Sequence, residues 1–452
     1  MRSPTKSDTL IEVSCACGRD RDGMPEDVYQ DFITHQQFIF FALMYLNGTA
    51  LWAYFSFLST QDYFSQRFAN SGMDFSFLTT LCQSWPMVIS QTTLTLTGLD
   101  KKLGQRTRMN AGYWGFFASS ALVIILCGIE FMSEKTTAIL VLVCIGLTGI
   151  CSALTESTYY SMAALLPDPK FTTSVQIGNG AAGIVNVTLL TVLRLAVGGI
   201  QESSDSVKLS FYLFFGLLLL IVLSAILLYR RLMSMPCIKF VMNRDEEFIA
   251  TSSLCLSSSP PVFGTLFHVF KIIWVPLVAE FLVFFVSFTI YPGVGCAAAR
   301  NLAEPYMEGD HDITKNWFCS PGIIGSFQYG DFFGRALPMF FFKDSVNTNS
   351  ALTLSILRVV FVPLLLMGIA DTPLYVFGFG NIATVPYTIV LNLVLGLSNG
   401  LLTTVTMRQA PTMLDTPDRE SGGSLVAMFF FWGVTLGSTL GFFVDGFNIL
   451  GV

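Results

Sequence analysis

Long apolar stretches separated by short polar breaks dominate this chain. A run of about 20 apolar residues crosses a bilayer as a helix. Eleven such runs stand out, at 36–59, 75–98, 109–130, 137–164, 174–198, 209–229, 266–292, 319–342, 350–370, 380–405 and 421–445. They are uninterrupted, unlike the alternating ten-residue strands of a barrel. The pattern predicts an all-α polytopic membrane protein with eleven transmembrane helices. The longest internal polar break, 230–265, opens on Arg230-Arg231, carries Arg244-Asp245-Glu246-Glu247 and ends in a Ser-rich stretch up to Pro260-Pro261. Such a composition suits a flexible linker. It divides the chain into a tail at 1–35, a six-helix bundle at 36–229, the linker at 230–265 and a five-helix bundle at 266–452. No internal repeat is legible.

Composition agrees with this reading. Hydrophobic residues make up 52% of the 452 and charged residues only 12%, about half the usual charged share of soluble domains. A soluble fold would expose too much of that apolar surface. A nucleic-acid partner would need basic patches, which a net charge of −6 does not supply. The expected surroundings are a lipid bilayer, with no obligate protein partner evident. Residues 1–30 are polar and hold no apolar core of a cleavable signal. With the N-terminus in the cytosol, 17 of the 25 Lys and Arg fall on the inner side and 6 on the outer. That bias fixes the expected orientation. An odd number of spans then puts the C-terminus outside, with the plasma membrane as the expected location.

The cysteines and histidines carry no metal-site spacing, and no catalytic triad or nucleophile–base pair is visible. An enzyme is therefore not expected. Cys296 and Cys319 flank the outer loop between the seventh and eighth spans, where a disulfide is one open alternative. The sequons at Asn47 and Asn186 lie inside spans and should stay unmodified.

Charges inside spans are the most informative residues. Each costs about 3 kcal/mol or more in bare hydrocarbon, so each must face a cavity or a partner. In Phe327-Gln328-Tyr329-Gly330-Asp331-Phe332-Phe333-Gly334-Arg335, the acid and base are four apart and share a helix face. A carboxylate beside a guanidinium fork suits the vicinal hydroxyls of a sugar. The same spacing serves equally as an ion pair that only locks the span. Glu156 lies among Ser, Thr and Tyr in the fourth span, where a carboxyl can accept from a base N–H, carry a proton, or bond a neighbouring helix. Glu280 and Arg358 are taken as structural, with mutual pairing left open. Gly178-Asn179-Gly180-Ala181-Ala182-Gly183 follows no strand and precedes no Lys-Ser/Thr. It is therefore helix packing rather than a phosphate loop, with Asn179 and Gln83 as possible cavity-lining residues. Trp52 can stack on a flat ligand or simply pack.

Together these segments resemble the equilibrative nucleoside transporter family. The resemblance rests on Asp331-Phe-Phe-Gly-Arg335, Gly48-Thr49-Ala50-Leu51-Trp52 with Gln61-Asp62-Tyr63-Phe64, and Leu81-Cys82-Gln83-Ser84-Trp85-Pro86. It continues through Glu156 to Leu165-Leu166-Pro167, the Gly178–Gly183 run, Ile290-Tyr291-Pro292, Arg358-Val359-Val360-Phe361-Val362-Pro363-Leu364, Ser398-Asn399-Gly400 and Glu420-Ser421-Gly422-Gly423. It implies a major-facilitator-like, pseudo-symmetric six-plus-five bundle moving nucleosides, purine nucleosides among them and in some members nucleobases, by alternating access. It also implies that Asp331 and Arg335 hold the ribose, that Trp52 bounds the pocket, and that Gln328 lines it. Glu156 stands where many members carry a Gln that contacts the base. Ionised Glu offers acceptors only, so transport is facilitated or proton-coupled through Glu156, with no other cofactor. Leu51 stands in place of the family's Pro before Trp52, and the first outer loop lacks a sequon, as in a divergent, protist-like branch. Arg108 and Glu420, at cytosolic span ends in opposite halves, are expected to pair as an inner gate. The rival reading is a major-facilitator-type carrier of another small polar solute.

Overall fold

The computed structural model describes residues 25–73, 75–129, 131–199, 203–242, 262–297, 317–340, 347–369, 373–377, 383–415 and 418–446. The described residues contain helices and turns and no strand. The long helices are α1 (Glu26–Ser59), α2 (Phe75–Thr97), α3 (Gln105–Gly128), α4 (Glu134–Leu165), α5 (Lys170–Gly198), α6 (Ser204–Leu232), α7 (Val262–Ile290), α8 (Ile324–Phe340), α9 (Thr348–Leu366), α10 (Thr384–Thr412) and α11 (Arg419–Gly446). Nine of them are long and apolar enough to cross a membrane, by length and composition. The exceptions are α2, rich in Ser, Thr and Gln, and α8, with only 17 residues.

Most helices extend beyond their apolar runs. The first begins at Glu26, ten residues before the expected 36, with Glu26 and Asp27 in its first turn, where acids suit the positive end of the helix dipole. The linker expected at 230–265 is mostly helical where it is described: α6 runs to Leu232, a turn at 233–235 leads to a further short helix at 236–242, and α7 starts at Val262. Residues 243–261, with the Arg244–Glu247 cluster, lie outside the described residues, as do His311, residues 1–24 and residues 447–452. Side-chain caps start some helices. The Ser133 hydroxyl accepts from Thr136 N at 3.2 Å, and Ser203 and Ser206 form a reciprocal capping box on α6. Prolines bend others. Ile273 (φ −108°, ψ 18°) breaks α7 three residues before Pro276, and Ser320 is extended before Pro321, ahead of α8.

Helices pair as α1 with α5, α2 with α4, α3 with α4, α7 with α11 and α8 with α10. The first and last parts of the chain meet along α5 against α8 and along α2 and α4 against α11. Close approach of α8 and α10 depends on glycine, since a Cβ on Gly400 would overlap the Asp331 carbonyl. Outward-facing apolar side chains such as Val143, Leu220 and Leu227 are 63–66% exposed, as lipid-facing residues of an integral membrane protein must be. At one end of the bundle Cys296 and Cys319 are joined by a disulfide, which settles the alternative left open above. Asn47 and Asn186, the sequon residues, are buried.

Candidate functional site

Between the two halves lies a narrow cavity bordered by α1, α2, α4, α5, α7, α8, α10 and α11. Its free space is about 40 Å³, enough for a few waters. Four of the five expected binding residues meet at the cavity or next to it. Gln328, Asp331 and Arg335 project from successive turns of α8, and Glu156 from α4.

The charged pair is intact. Arg335 Nε donates to Asp331 Oδ2 at 2.6 Å. The other carboxylate oxygen, Oδ1, accepts from Asn399 Nδ2 at 2.7 Å. These two bonds fill only part of a carboxylate's acceptor capacity. Arg335 Nη1 donates to Gln176 Oε1 of α5. Gln328 Nε2 donates to Tyr291 Oη at 3.3 Å. Asn399 extends the network outward. Its Oδ1 lies 2.7 Å from Ser287 Oγ, which also accepts from Arg358 Nη2 at 2.7 Å. Arg358 further donates to the Val283 carbonyl (2.7 Å), the Leu395 carbonyl (3.2 Å) and Ser398 Oγ (3.1 Å). Arg358 is thus satisfied by hydroxyls and carbonyls. It does not pair directly with Glu280, whose carboxylate accepts from Thr406 Oγ1.

Glu156 differs from the rest. It is fully buried, borders the cavity, and neither carboxyl oxygen has a hydrogen-bond partner among the described residues. The Tyr54 hydroxyl, on the same cavity, is likewise unpartnered among them. Buried polar groups are normally bonded, and leaving one unmade costs about 1–3 kcal/mol.

Other expected residues stand elsewhere. Trp52 does not border the cavity; its helix neighbours Leu51, Tyr54 and Phe55 do. In the Asn186 amide orientation that satisfies both residues, the indole Nε1 donates to Asn186 at 3.2 Å. Gln83 points away and donates to Thr148 Oγ1 at 3.0 Å, tying α2 to α4. Asn179 does line the cavity, and it is also held, donating to Tyr160 Oη at 2.7 Å and accepting from Asn47 Nδ2. The glycines around it pack helices, since a Cβ on Gly180 would come 2.8 Å from Phe332 Cα of α8. Sequence reasoning missed the aromatic lining (Phe284, Phe288, Phe327 and Phe430) and Asn399 as a site residue. Only Asn399 carried a signal, an amide amid an apolar run, and Asn392 in the same run carries the same one. At the end of the bundle opposite the disulfide, Arg108 Nη2 and Glu420 Oε1 stand 3.9 Å apart, both buried.

A family model described as nucleoside transporter matches residues 139–445, about two-thirds of the chain. The chain belongs to the nucleoside transporter family. This family member is similar to the Arabidopsis thaliana protein named equilibrative nucleotide transporter 1, at 25% identity over 304 residues. That match covers 66% of this chain and 62%, under two-thirds, of the relative. It is also similar to human equilibrative nucleoside transporter 4, at 22% identity over 469 residues, covering 89% of this chain and 82% of the relative. In fold it resembles a crystal structure of a bacterial homologue of the iron transporter ferroportin in an outward-facing state. The TM-score is 0.53 at 12% identity, with 92% of this chain and 94% of that one covered.

Proposed function

We propose that this family member moves nucleosides across the plasma membrane by alternating access, around the cavity described above. In this reading α1 to α11 all span, six before the long polar break and five after it, as a pseudo-symmetric bundle. The Arg108–Glu420 end faces the cytosol together with the N-terminus, and α11 ends outside. The excess of Lys and Arg at the inner end supports that orientation, and the disulfide at the other end suits an oxidising exterior.

One observation carries the reading. A buried acid–base pair faces a cavity between the two halves, opposite a carboxyl that has no protein partner among the described residues. A pair kept only for structure has no need of a cavity. Here Asp331 accepts from one ribose hydroxyl, Arg335 donates to another, and Gln328 borders the sugar. Glu156 accepts from the base edge, and the ring packs among Phe284, Phe288 and Phe430. Trp52 shapes the pocket from behind Leu51 and Tyr54. Solute binding drives the halves only through a higher affinity for the closing state. The Arg108–Glu420 pair holds the inner end shut while the site opens outward.

Proton coupling is a second reading with its own observation, the bare Glu156 carboxyl. A protonated carboxyl also donates, and it would accompany the solute as the proton carrier. Uptake of radiolabelled inosine and adenosine into cells expressing the chain, competed by nucleosides, nucleobases and glucose at two pH values, tests both. Competition by glucose and not by inosine overturns the nucleoside assignment in favour of another polar solute.

A further inference from the structure

The inner end of the bundle holds a second, larger space. It measures about 930 Å³ and lies between α1 and α5 on one side and α8 and α10 on the other. Phe40, Lys170 and Thr173 line it from the first half, and Pro338, Met339 and Arg408 from the second. Thr173 is one turn from Gln176, Pro338 and Met339 are one turn from Arg335, and Arg408 adjoins Met407. Gln176, Arg335 and Met407 therefore form the layer between this vestibule and the central cavity, which Arg335 itself borders.

Gln176 closes that layer across the interface. From α5 its amide oxygen accepts from Arg335 Nη1 of α8, and its amide nitrogen donates to Met407 Sδ of α10. All three side chains are buried. Gln176 lines neither space; it lies on α5 between Thr173 of the vestibule and Asn179 of the central cavity and reaches Arg335 across the interface. The Arg108–Glu420 pair lies on a different seam, between α3 and α11. Inner closure thus has two separate fastenings, one ionic and one an amide between a guanidinium and a thioether.

We propose that Gln176 is a positioning residue that holds Arg335 against Asp331 and seals the central cavity from the vestibule. Breaking its two bonds opens the cytosolic exit between α1/α5 and α8/α10. The cytosolic side rests on the orientation proposed above; the seal does not.

The test uses single cysteines in the full-length chain, with labelling of the parent chain subtracted. Leu51→Cys reports from the central cavity and Lys170→Cys, at a half-exposed position, from the vestibule. Inside-out vesicles are exposed to a membrane-impermeant maleimide. Lys170→Cys reacts whatever stands at 176, which also shows that each variant is folded and inserted. Leu51→Cys reacts slowly beside Gln176 and about tenfold faster beside Gln176→Leu, as expected for loss of a bond to a charged group. Gln176→Glu keeps an acceptor for Arg335 and stays slow. Equal Leu51→Cys rates beside Gln176 and Gln176→Leu overturn the seal, and so does a Gln176→Glu rate as fast as that of Gln176→Leu. Lys170→Cys reacting only on intact cells overturns the orientation instead, and the Leu51→Cys comparison is then made from that face.

Discussion

A double cycle on Asp331 and the sugar hydroxyls tests the binding chemistry directly. Asp331 holds Arg335 through Oδ2 at 2.6 Å and Asn399 through Oδ1 at 2.7 Å, leaving acceptor capacity toward the cavity. A hydroxyl donating to an ionised carboxylate is worth about 1.5–3 kcal/mol net, against about 0.5–1.5 for a neutral partner. Removing the 2′- and 3′-hydroxyls from inosine should therefore weaken competition for uptake by about 10- to 150-fold through the Asp331 contact in the native chain, on top of a loss at Arg335 that both chains share. In Asp331→Asn that contact should account for only about 2- to 12-fold. The substitution also leaves the Arg335 guanidinium without its ionic partner. Breaking a buried pair costs about 3–5 kcal/mol, so surface expression is measured alongside uptake. The assay compares inosine and 2′,3′-dideoxyinosine as competitors of radiolabelled uptake in both chains. The same ratio in both refutes the idea that this carboxylate grips the sugar.

Four further outcomes follow from the geometry. Arg108→Glu and Glu420→Arg should each cut uptake strongly, and the double swap should restore much of it, because the pair stands 3.9 Å apart in a buried seam; no rescue counts against the gate. Glu156→Gln should keep uptake while flattening its dependence on pH between about 5 and 8; a native chain already indifferent to pH and to uncouplers removes the proton from the cycle. Cys296→Ser should lower the melting temperature in detergent, with about 3 kcal/mol lost from a linkage closing 23 residues, while uptake persists; unchanged melting overturns a stabilising role. Gly400→Val should abolish surface expression, since its side chain collides with the Asp331 carbonyl; normal expression disproves that contact.

Several of these features were legible in the chain. The four-residue spacing of Asp331 and Arg335 already placed acid and base on one face, and the helix delivers them in contact. Arg108 and Glu420 were found from charge at span ends in opposite halves, and they do approach. What sequence withheld is helix phase. Each residue turns the helix by about 100°, so moving from Leu51 to Trp52 is enough to leave the cavity, and no local signal distinguishes the two. Gln83 was lost to the same ambiguity, since its partner Thr148 belongs to a helix 65 residues on. Charge alone left mutual pairing of Glu280 and Arg358 open, and packing gives each a different neighbour. The link from Arg358 through Ser287 and Asn399 to Asp331 joins four helices, and no periodicity records such a meeting.

The backbone-to-backbone fit of α8 against α10 has a mechanical consequence. Two rods meshed at Gly400, and again where Gly330 and Gly334 meet α10, cannot slide without tearing their side chains apart, so they travel as one lever. The angle between Asp331, Arg335 and Asn399 then stays constant while the molecule tips from one face to the other. Under the binding mode proposed above, the sugar rides on a fixed saddle, and what changes hands during the proposed cycle is the grip of the opposite half.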